Sequence, residues 1–443
     1  MTFSVDHVEI HRRNGDIETT TELVVSPEHP VGVRRITITN HGEDACEVDL
    51  TTYAEVVLCP RSADVARRAF ENMFLEFEED VQLGALLITR RDRATGALSP
   101  WLVQMLAAES DGWSPVRCDS MRPRFVGRGR DLTSPEGLCS DAPSEVVKHP
   151  LEPAAVLSRS VVIEPQATAR VALVTGVALS RAEVVDLAQR YMSSTHVDRA
   201  FELAWADARV ELNHLRIGAS QSFRFQRLLS FILDPQRPLR AVPGAFAAQG
   251  DGRTALWAQG ISGDLPIVVV RIDDGLVGAV CGELLLAHEF FRLNNFAIDL
   301  VFWNEEPAGY LQPLQDQLIA TVQAGFAQGY LDKRGGVFVR RANHVDERER
   351  GLVLGAARVI LRTSAGSLAR QLRLAGEAAA PSRSSQARVP ITKPATAEGL
   401  QFDNGAGGFR PDGREYVIVG PTPAPWCNVL ANERFGTRRA SRR

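Results

Sequence analysis

The sequence predicts a multidomain α+β protein with an N-terminal antiparallel β-sandwich, a helical linker and a small α/β segment. Three observations predict this. Residues 1–178 contain many short stretches rich in β-branched residues with no helix pattern between them. Residues 179–245 change to helical spacing, and residues 246–375 alternate apolar strands with helices, which is typical of a small parallel sheet. A chain of 443 residues suits two or three such domains.

Within residues 1–178, the predicted strands partly alternate apolar and polar residues, as strands with one buried face do. Residues 40–44 carry the turn-forming side chains between two of them. The predicted strands are 17–25, 33–39, 47–58, 85–89, 101–107 and 170–175, the last of which closes the sandwich.

The predicted linker begins with a helix over 181–191. Ser180 and Glu183 have the spacing of a capping box at its start. Two further helices are predicted over 197–215 and 221–233.

Residues 246–375 hold three predicted strands, each followed by a helix. The strands are 265–272, 296–303 and 335–340, and the helices are 276–294, 310–328 and 346–362. Residues 376–398 are rich in Ala, Pro, Ser and Arg, which predicts a flexible linker. Folded character resumes over 399–436, with a strand at 414–419.

Composition excludes several classes of protein. The net charge of −4 gives no basic field for nucleic acid. None of the six cysteines has a C-x-x-C partner, so we expect free thiols, no metal site and no cofactor. The N-terminus lacks an apolar signal segment and no apolar run is long enough to span a bilayer, so we expect a soluble, cytoplasmic chain.

The first candidate site lies in residues 255–266. Gly260 and Gly263 bracket a tight turn that places Asp264 just before a buried strand, and Trp257 offers an aromatic ring face. A carboxylate beside a ring suits sugar binding. The alternative is a structural turn in which Asp264 caps local backbone amides.

The second candidate site is the Asn304, Glu305 and Glu306 loop after the strand at 296–303. Glycoside cleavage needs a carboxylic acid near the leaving oxygen, and ligands of open α/β sheets bind at the carboxyl ends of strands. The alternative is that Glu305 is solvated or forms only structural hydrogen bonds. His288 with Glu289 does not extend to a zinc-protease motif, because residue 292 is Arg.

Several segments together resemble one family. They are 22–27, 34–40, 50–58, 125–130, 201–205, 256–272, 298–305, 415–418, 422–426 and 431–436. In this order they resemble the phosphorylase-like region of the cyclic β-1,2-glucan synthases, which belong to glycosyltransferase family thirty-six and are relatives of cellobiose phosphorylase. The resemblance is collinear from about residue 2 to residue 436.

The resemblance implies a galactose-mutarotase-like sandwich over 1–178 with a carbohydrate-binding character, and the start of a second sandwich over 399–436. It implies β-1,2-glucan or another glucooligosaccharide as partner. In the parent enzyme it implies inorganic phosphate as a possible partner and anchoring at the cytoplasmic side of the inner membrane. The sugar contacts expected in this chain are Trp257, Asp264, Glu305 and Trp426, because they combine aromatic ring faces with hydrogen-bonding groups.

Two departures from the family shape the expected function. The basic stretch 437–443 is unlike the family and suggests a frameshift or a truncated reading frame. The family's catalytic Asp would lie beyond it, so no catalytic residue is assigned. We therefore expect a carbohydrate-binding and scaffold fragment of a glycosyl-transferring enzyme. The alternatives are a complete glycoside phosphorylase and an inactive truncated product.

Overall fold

The computed structural model describes residues 1–91, 99–138, 144–234, 237–240, 256–273, 277–306, 312–379, 399–404, 406–419, 427–431 and 436–440. The chain divides into two compact units. We call Met1–Trp205 with Ser385–Arg443 the sandwich unit, and Ala206–Ser384 the α/β unit. The predicted fold class is confirmed, since an antiparallel sandwich is followed by helices and a parallel sheet.

The sandwich is built from strands β1 to β11, which form one large and one small antiparallel sheet. The strands are β1 Thr2–Phe3, β2 Val8–Asn14, β3 Ile17–Val25, β4 Val31–Asn40, β5 Cys46–Ala54, β6 Leu75–Asp80, β7 Ala85–Arg90, β8 Trp101–Ala108, β9 Arg117–Met121, β10 Pro153–Ile163 and β11 Thr168–Ala178. The helices of this part of the chain are α1 Arg61–Asn72, α2 Arg122–Val126, α3 Arg181–Tyr191 and α4 Ser194–Leu215. The large sheet has the order β1-β2-β3-β4-β11-β8-β7-β6, and the small sheet has the order β5-β10-β9.

Both faces of the large sheet are covered by other elements. Strand β7 shows this clearly, because Ala85 and Leu87 join a core cluster with helices α3 and α4. The intervening Leu86 and Ile88 join a second cluster with the small sheet. A strand buried on both faces has no polar side to present, which explains why β7 is a continuous apolar run rather than an alternating one.

Helix α3 begins at the predicted cap. The Ser180 hydroxyl accepts a hydrogen bond from the Glu183 amide at 3.2 Å. The Glu183 carboxylate turns back to the amide of Leu179, also at 3.2 Å, rather than to that of Ser180. Two of the amide groups at the start of the helix are thus satisfied by side chains.

We expect Ser180→Ala to lower the free energy of unfolding of the sandwich unit by about 1 kcal/mol, because the N-cap acceptor is lost. Thermal unfolding followed by circular dichroism would measure the change. Ser180→Asp keeps an acceptor and is the matched control, expected to unfold close to the parent chain. Equal losses in both variants would contradict the capping role.

The α/β unit holds helices on a four-stranded parallel sheet. Its strands are β12 Ile267–Ile272, β13 Asp299–Asn304, β14 Val337–Arg341 and β15 Val359–Arg362. Its helices are α5 Ala219–Leu233, α6 Ala279–Leu293, α7 Pro313–Gln323, α8 Glu347–Ala356 and α9 Leu368–Ala379, with the C-terminal part of α4 preceding them. The sheet order is β14-β13-β12-β15, and every neighbouring pair is parallel.

Strand β15 corrects the sequence prediction, which placed 346–362 in one helix. Helix α8 ends at Ala356, and Ala357 adopts an extended conformation with ψ of 134°. Val359 and Leu361 are fully buried, and β15 pairs with β12. A four-residue strand directly after a helix is too short to show a two-residue alternation of its own. The sequence prediction therefore extended the helix over these residues.

The C-terminal described segments form two small antiparallel pairs. These are β16 Gly407–Phe409 with β17 Tyr416–Ile418, and β18 Cys427–Ala431 with β19 Gly436–Ala440. Strand β19 includes the first residues of the stretch that departs from the family. Helix α9 reaches Ala379, inside the range predicted as linker, and residues 380–398 lie outside the described residues. The start of a second sandwich stays a prediction.

Four cysteines whose side chains are described, Cys46, Cys59, Cys118 and Cys281, are free thiols, as predicted. Burial raises the pKa of Cys118, which makes its thiol unreactive. Across the described ranges, no helix has the length and apolar character needed to cross a bilayer.

Candidate functional site

The carboxyl edge of the parallel sheet is the place where this topology favours a ligand. From β12 the chain moves outward to β13 and β14, and then returns to the other side of β12 as β15. The order therefore reverses between β12 and β15. Open α/β sheets bind ligands beside such a switch point, outside the carboxyl ends of the strands.

Glu305 lies at this edge, directly after β13, and two arginines hold it. Arg271 of β12 donates two hydrogen bonds to its carboxylate, each 2.8 Å long. Arg350 of helix α8 donates a third at 2.5 Å. The Glu305 side chain is only 13% exposed. The oxygens of this carboxylate are already occupied by two guanidinium groups, so they are not placed to reach a glycosidic oxygen.

The same contacts act on Arg271. Its hydrogen bonds to Glu305 raise the pKa of Arg271, although burial alone would lower it. Its side chain is 17% exposed, so the guanidinium depends on Glu305 as its partner. The sequence does carry one signal for the pair of Arg271 and Glu305. Arg271 is the only charged residue in the apolar run 265–272, and a buried cation needs an anionic partner.

Asp273 bridges the switch point from β12 to the segment after β15. Its carboxylate accepts from the Ser364 hydroxyl at 2.8 Å, from the Ser364 amide at 3.1 Å and from the Thr363 hydroxyl at 3.3 Å. Burial tends to raise the pKa of Asp273, but the hydrogen bonds from Ser364 and Thr363 leave it below its usual value. This residue was missed from the sequence because its partners lie some 90 positions later.

Trp257 and Asp264 belong to the turn before β12. The Trp257 side chain is 60% exposed, and its indole N–H donates to the Ser262 carbonyl at 3.3 Å. Gly260 and Gly263 have φ of 75° and 76°, so both glycines adopt the left-handed conformation that the turn requires. Asp264 is exposed, and its amide donates to the Ser262 hydroxyl at 3.3 Å.

The Asp264 carboxylate accepts no hydrogen bond from any described residue. It therefore does not cap local amides within the described part of the chain. It lies near the start of β13, because the amide of Asp299 donates to the carbonyl of Pro266, two residues after Asp264, at 2.9 Å. Burial raises the pKa of Asp299, and the charge of Asp264 adds to this effect.

Asp264 lies at the amino ends of the parallel strands and Glu305 lies at their carboxyl ends. Asp264 precedes β12 and Glu305 follows the parallel strand β13, and each strand has six residues. At about 3.3 Å per residue, roughly 20 Å separate the two edges. These carboxylates therefore cannot serve one glycosidic bond, whose two carboxyl groups lie within about 10 Å of each other. Trp426 lies outside the described residues.

Comparison with known proteins gives the family context. The model of the glycosyl hydrolase 94 supersandwich domain matches residues 1–194. The chain is 28% identical to the cyclic beta-(1,2)-glucan synthase NdvB of Rhizobium meliloti (strain 1021) over 456 aligned residues, which cover 98% of this chain. The match spans 16% of the length of that relative.

Solved structures match at low overall similarity. A bacterial glucoamylase complexed with acarbose is 7% identical, with a TM-score of 0.30 over 50% of this chain and 32% of that one. An alpha-galactosidase from Lactobacillus brevis is 8% identical, with a TM-score of 0.20 over 84% of this chain and 52% of that one. Scores this low carry no argument about the site. The family model and the collinear match confirm the resemblance to the cyclic β-1,2-glucan synthases, and residues 1–194 of this chain are similar to the supersandwich domain of glycosyl hydrolase 94.

Proposed function

We propose that this chain is a carbohydrate-binding and scaffold portion of a protein that makes or processes β-1,2-glucan by glycosyl transfer. The observation that carries the proposal is the collinear match over 98% of the chain to a cyclic β-1,2-glucan synthase. The supersandwich domain over residues 1–194 supports it independently. Phosphate binding and attachment to a membrane remain proposals about a longer parent protein.

Binding rather than turnover fits the described side chains better. A phosphorylase needs an acid positioned at the glycosidic oxygen and a cradle for phosphate. Glu305 is already bound by two arginines, and Asp264 lies at the other edge of the sheet. Trp257 and Asp264 are both exposed and lie in the same turn, and they are proposed to share a sugar ligand. Glu305 lies at the other edge of the sheet, so its proposed sugar contact belongs to a different site. Trp426 stays a proposed sugar contact outside the described residues.

Isothermal titration calorimetry of the purified chain with linear β-1,2-glucooligosaccharides would test the proposal, with cellobiose as the control sugar. We expect saturable binding of the β-1,2-linked sugars, weaker binding of cellobiose, and no release of glucose 1-phosphate when phosphate is added. Phosphate-dependent release would instead establish a complete phosphorylase. Absence of both binding and release would overturn the proposal and favour an inactive product.

A further inference from the structure

The segment 125–130, Phe-Val-Gly-Arg-Gly-Arg, covers the outer face of the small sheet and helps to enclose a cavity. Helix α2 brings Phe125 and Val126 onto Ala154 and Val156 of β10, where the four side chains form a separate apolar cluster. The segment then continues to a short 3₁₀ turn, Glu136–Leu138. Between these parts lies a cavity of about 300 Å³.

Two glycines let the walls of this cavity approach each other. Gly127 has φ of 83°, and a β-carbon there would lie 2.2 Å from a carboxylate oxygen of Glu136. A β-carbon on Gly137 would lie 2.6 Å from the ring of Phe125. The Gly127 amide donates to the Pro123 carbonyl at 2.9 Å, which fixes the end of α2. The shape of the cavity is therefore set by backbone as well as by side chains.

The floor of the cavity carries a buried carboxylate. Asp119 of β9 is 8% exposed and accepts from the Met121 amide at 2.8 Å and from Arg124 at 3.4 Å. Arg124 also donates to Glu145 at 3.1 Å. Asp119 therefore keeps its place without a ligand and retains lone pairs for one.

The rim carries three exposed charged side chains that line the same cavity, Arg117, Arg128 and Glu136. None of the three forms a hydrogen bond or an ion pair with another described residue. Their donors and acceptors are thus available to a molecule from solution. Phe125 and Val156 add an apolar wall.

This mixture of charges suits a neutral polyol better than an anion. A sugar hydroxyl both donates and accepts, so neighbouring hydroxyls can donate to Asp119 or Glu136 and accept from Arg117 or Arg128. Arg117 and Arg128 would attract a phosphate group, but the carboxylates of Asp119 and Glu136 line the same cavity and would repel it, so its charge gains little there. The volume is at the lower end of small-molecule sites, about 300–1,000 Å³, which fits a short saccharide rather than a polymer segment.

Resting on the proposed function, we infer that this cavity binds a glucosyl unit of a glucooligosaccharide through Asp119, Arg117, Arg128 and Glu136. The residues of this cavity belong to the sandwich unit, whereas Trp257 and Asp264 belong to the α/β unit.

Calorimetry with linear β-1,2-glucooligosaccharides on the full chain would test the site. Arg117→Ala combined with Arg128→Ala is expected to weaken binding about tenfold or more, and Glu136→Gln by several-fold, since each removes a charge-assisted hydrogen bond. Arg34→Ala is the control, because Arg34 is also an exposed strand arginine and it does not line the cavity. Thermal unfolding would establish that all variants are folded.

The outcomes separate the two levels of inference. If the parent chain binds and the cavity variants bind equally well, the cavity site is overturned while the proposed function stands. If Arg34→Ala weakens binding as much as the double variant, the loss of positive charge anywhere on the chain weakens binding, and the cavity site is also overturned. If the parent chain binds no glucooligosaccharide, both fail. Saturable binding of inorganic phosphate that the double variant abolishes would overturn the choice of a neutral sugar.

Discussion

Replacing Glu305 by alanine is expected to lower the free energy of unfolding of the α/β unit by about 3 kcal/mol. The side chains of Arg271 and Arg350 are 17% and 36% exposed, and both donate to this carboxylate. Removal of one partner from a largely buried ion pair costs about 3–5 kcal/mol, because the remaining charge is left without compensation. The partial exposure of Arg350 places the expected value at the lower end.

Urea unfolding would measure this loss, and hydrogen exchange of the β12 and β13 amides would show that it occurs in the α/β unit. Glu305→Gln keeps the shape and two acceptor lone pairs, so a smaller loss is expected. Asp264→Ala is the matched carboxylate control, expected to change stability by less than about 0.5 kcal/mol because its side chain is exposed. A stable Glu305→Ala variant that loses sugar binding would show that Glu305 acts on the ligand instead.

Gly336→Ala is expected to destabilise the α/β unit by about 3 kcal/mol or more. A β-carbon at this position would lie 2.0 Å from the carbonyl oxygen of Tyr330 and 2.9 Å from that of Lys333. Both obstacles are backbone atoms, so the turn before β14 must move as a whole. The Gly336 amide donates to the Lys333 carbonyl, and its own carbonyl accepts from Leu300 of β13, so that movement also disturbs the sheet.

Gly282→Ala is the control for this substitution. Gly282 lies inside helix α6, and its added β-carbon meets no atom within 4 Å. Alanine there should stabilise the helix by about 0.5–1 kcal/mol, as glycine is a poor helix former. The two variants are therefore expected to shift the unfolding midpoint in opposite directions. A Gly336→Ala variant as stable as the parent chain would show that the turn can rearrange freely.

Much of the fold followed from local patterns in the sequence. Helix α3 occupies the predicted range 181–191 because a cap and an apolar stripe specify both its start and its buried face. Strands β12 and β13 were found because fully buried parallel strands are continuous apolar runs. Strand β15 was missed because four residues carry no period, and the position of β11 between β4 and β8 depends on pairing between distant residues.

The candidate sites were harder to predict than the fold. The sequence indicated Glu305 as a carboxylate at the carboxyl end of a strand, and it lies there. Its two arginine partners come from β12 and α8, positions 34 and 45 residues away. The residues of the cavity were visible only as part of the 125–130 segment, since Arg117 and Asp119 reach it through the pairing of β9 with β10.

The place of β11 in the large sheet has a consequence for biosynthesis. Thr39 of β4 pairs with Thr168 of β11. The half of the sheet formed by β1 to β4 is therefore joined to the rest through residues that are far apart in the sequence. Until β11 leaves the ribosome, β4 presents an unpaired edge that can pair with another chain. Synthesis at about 5–20 residues per second makes this interval on the order of 10 s. Co-translational folding of the sandwich is thus delayed to its last strand, and the nascent chain is most prone to aggregate before that strand emerges.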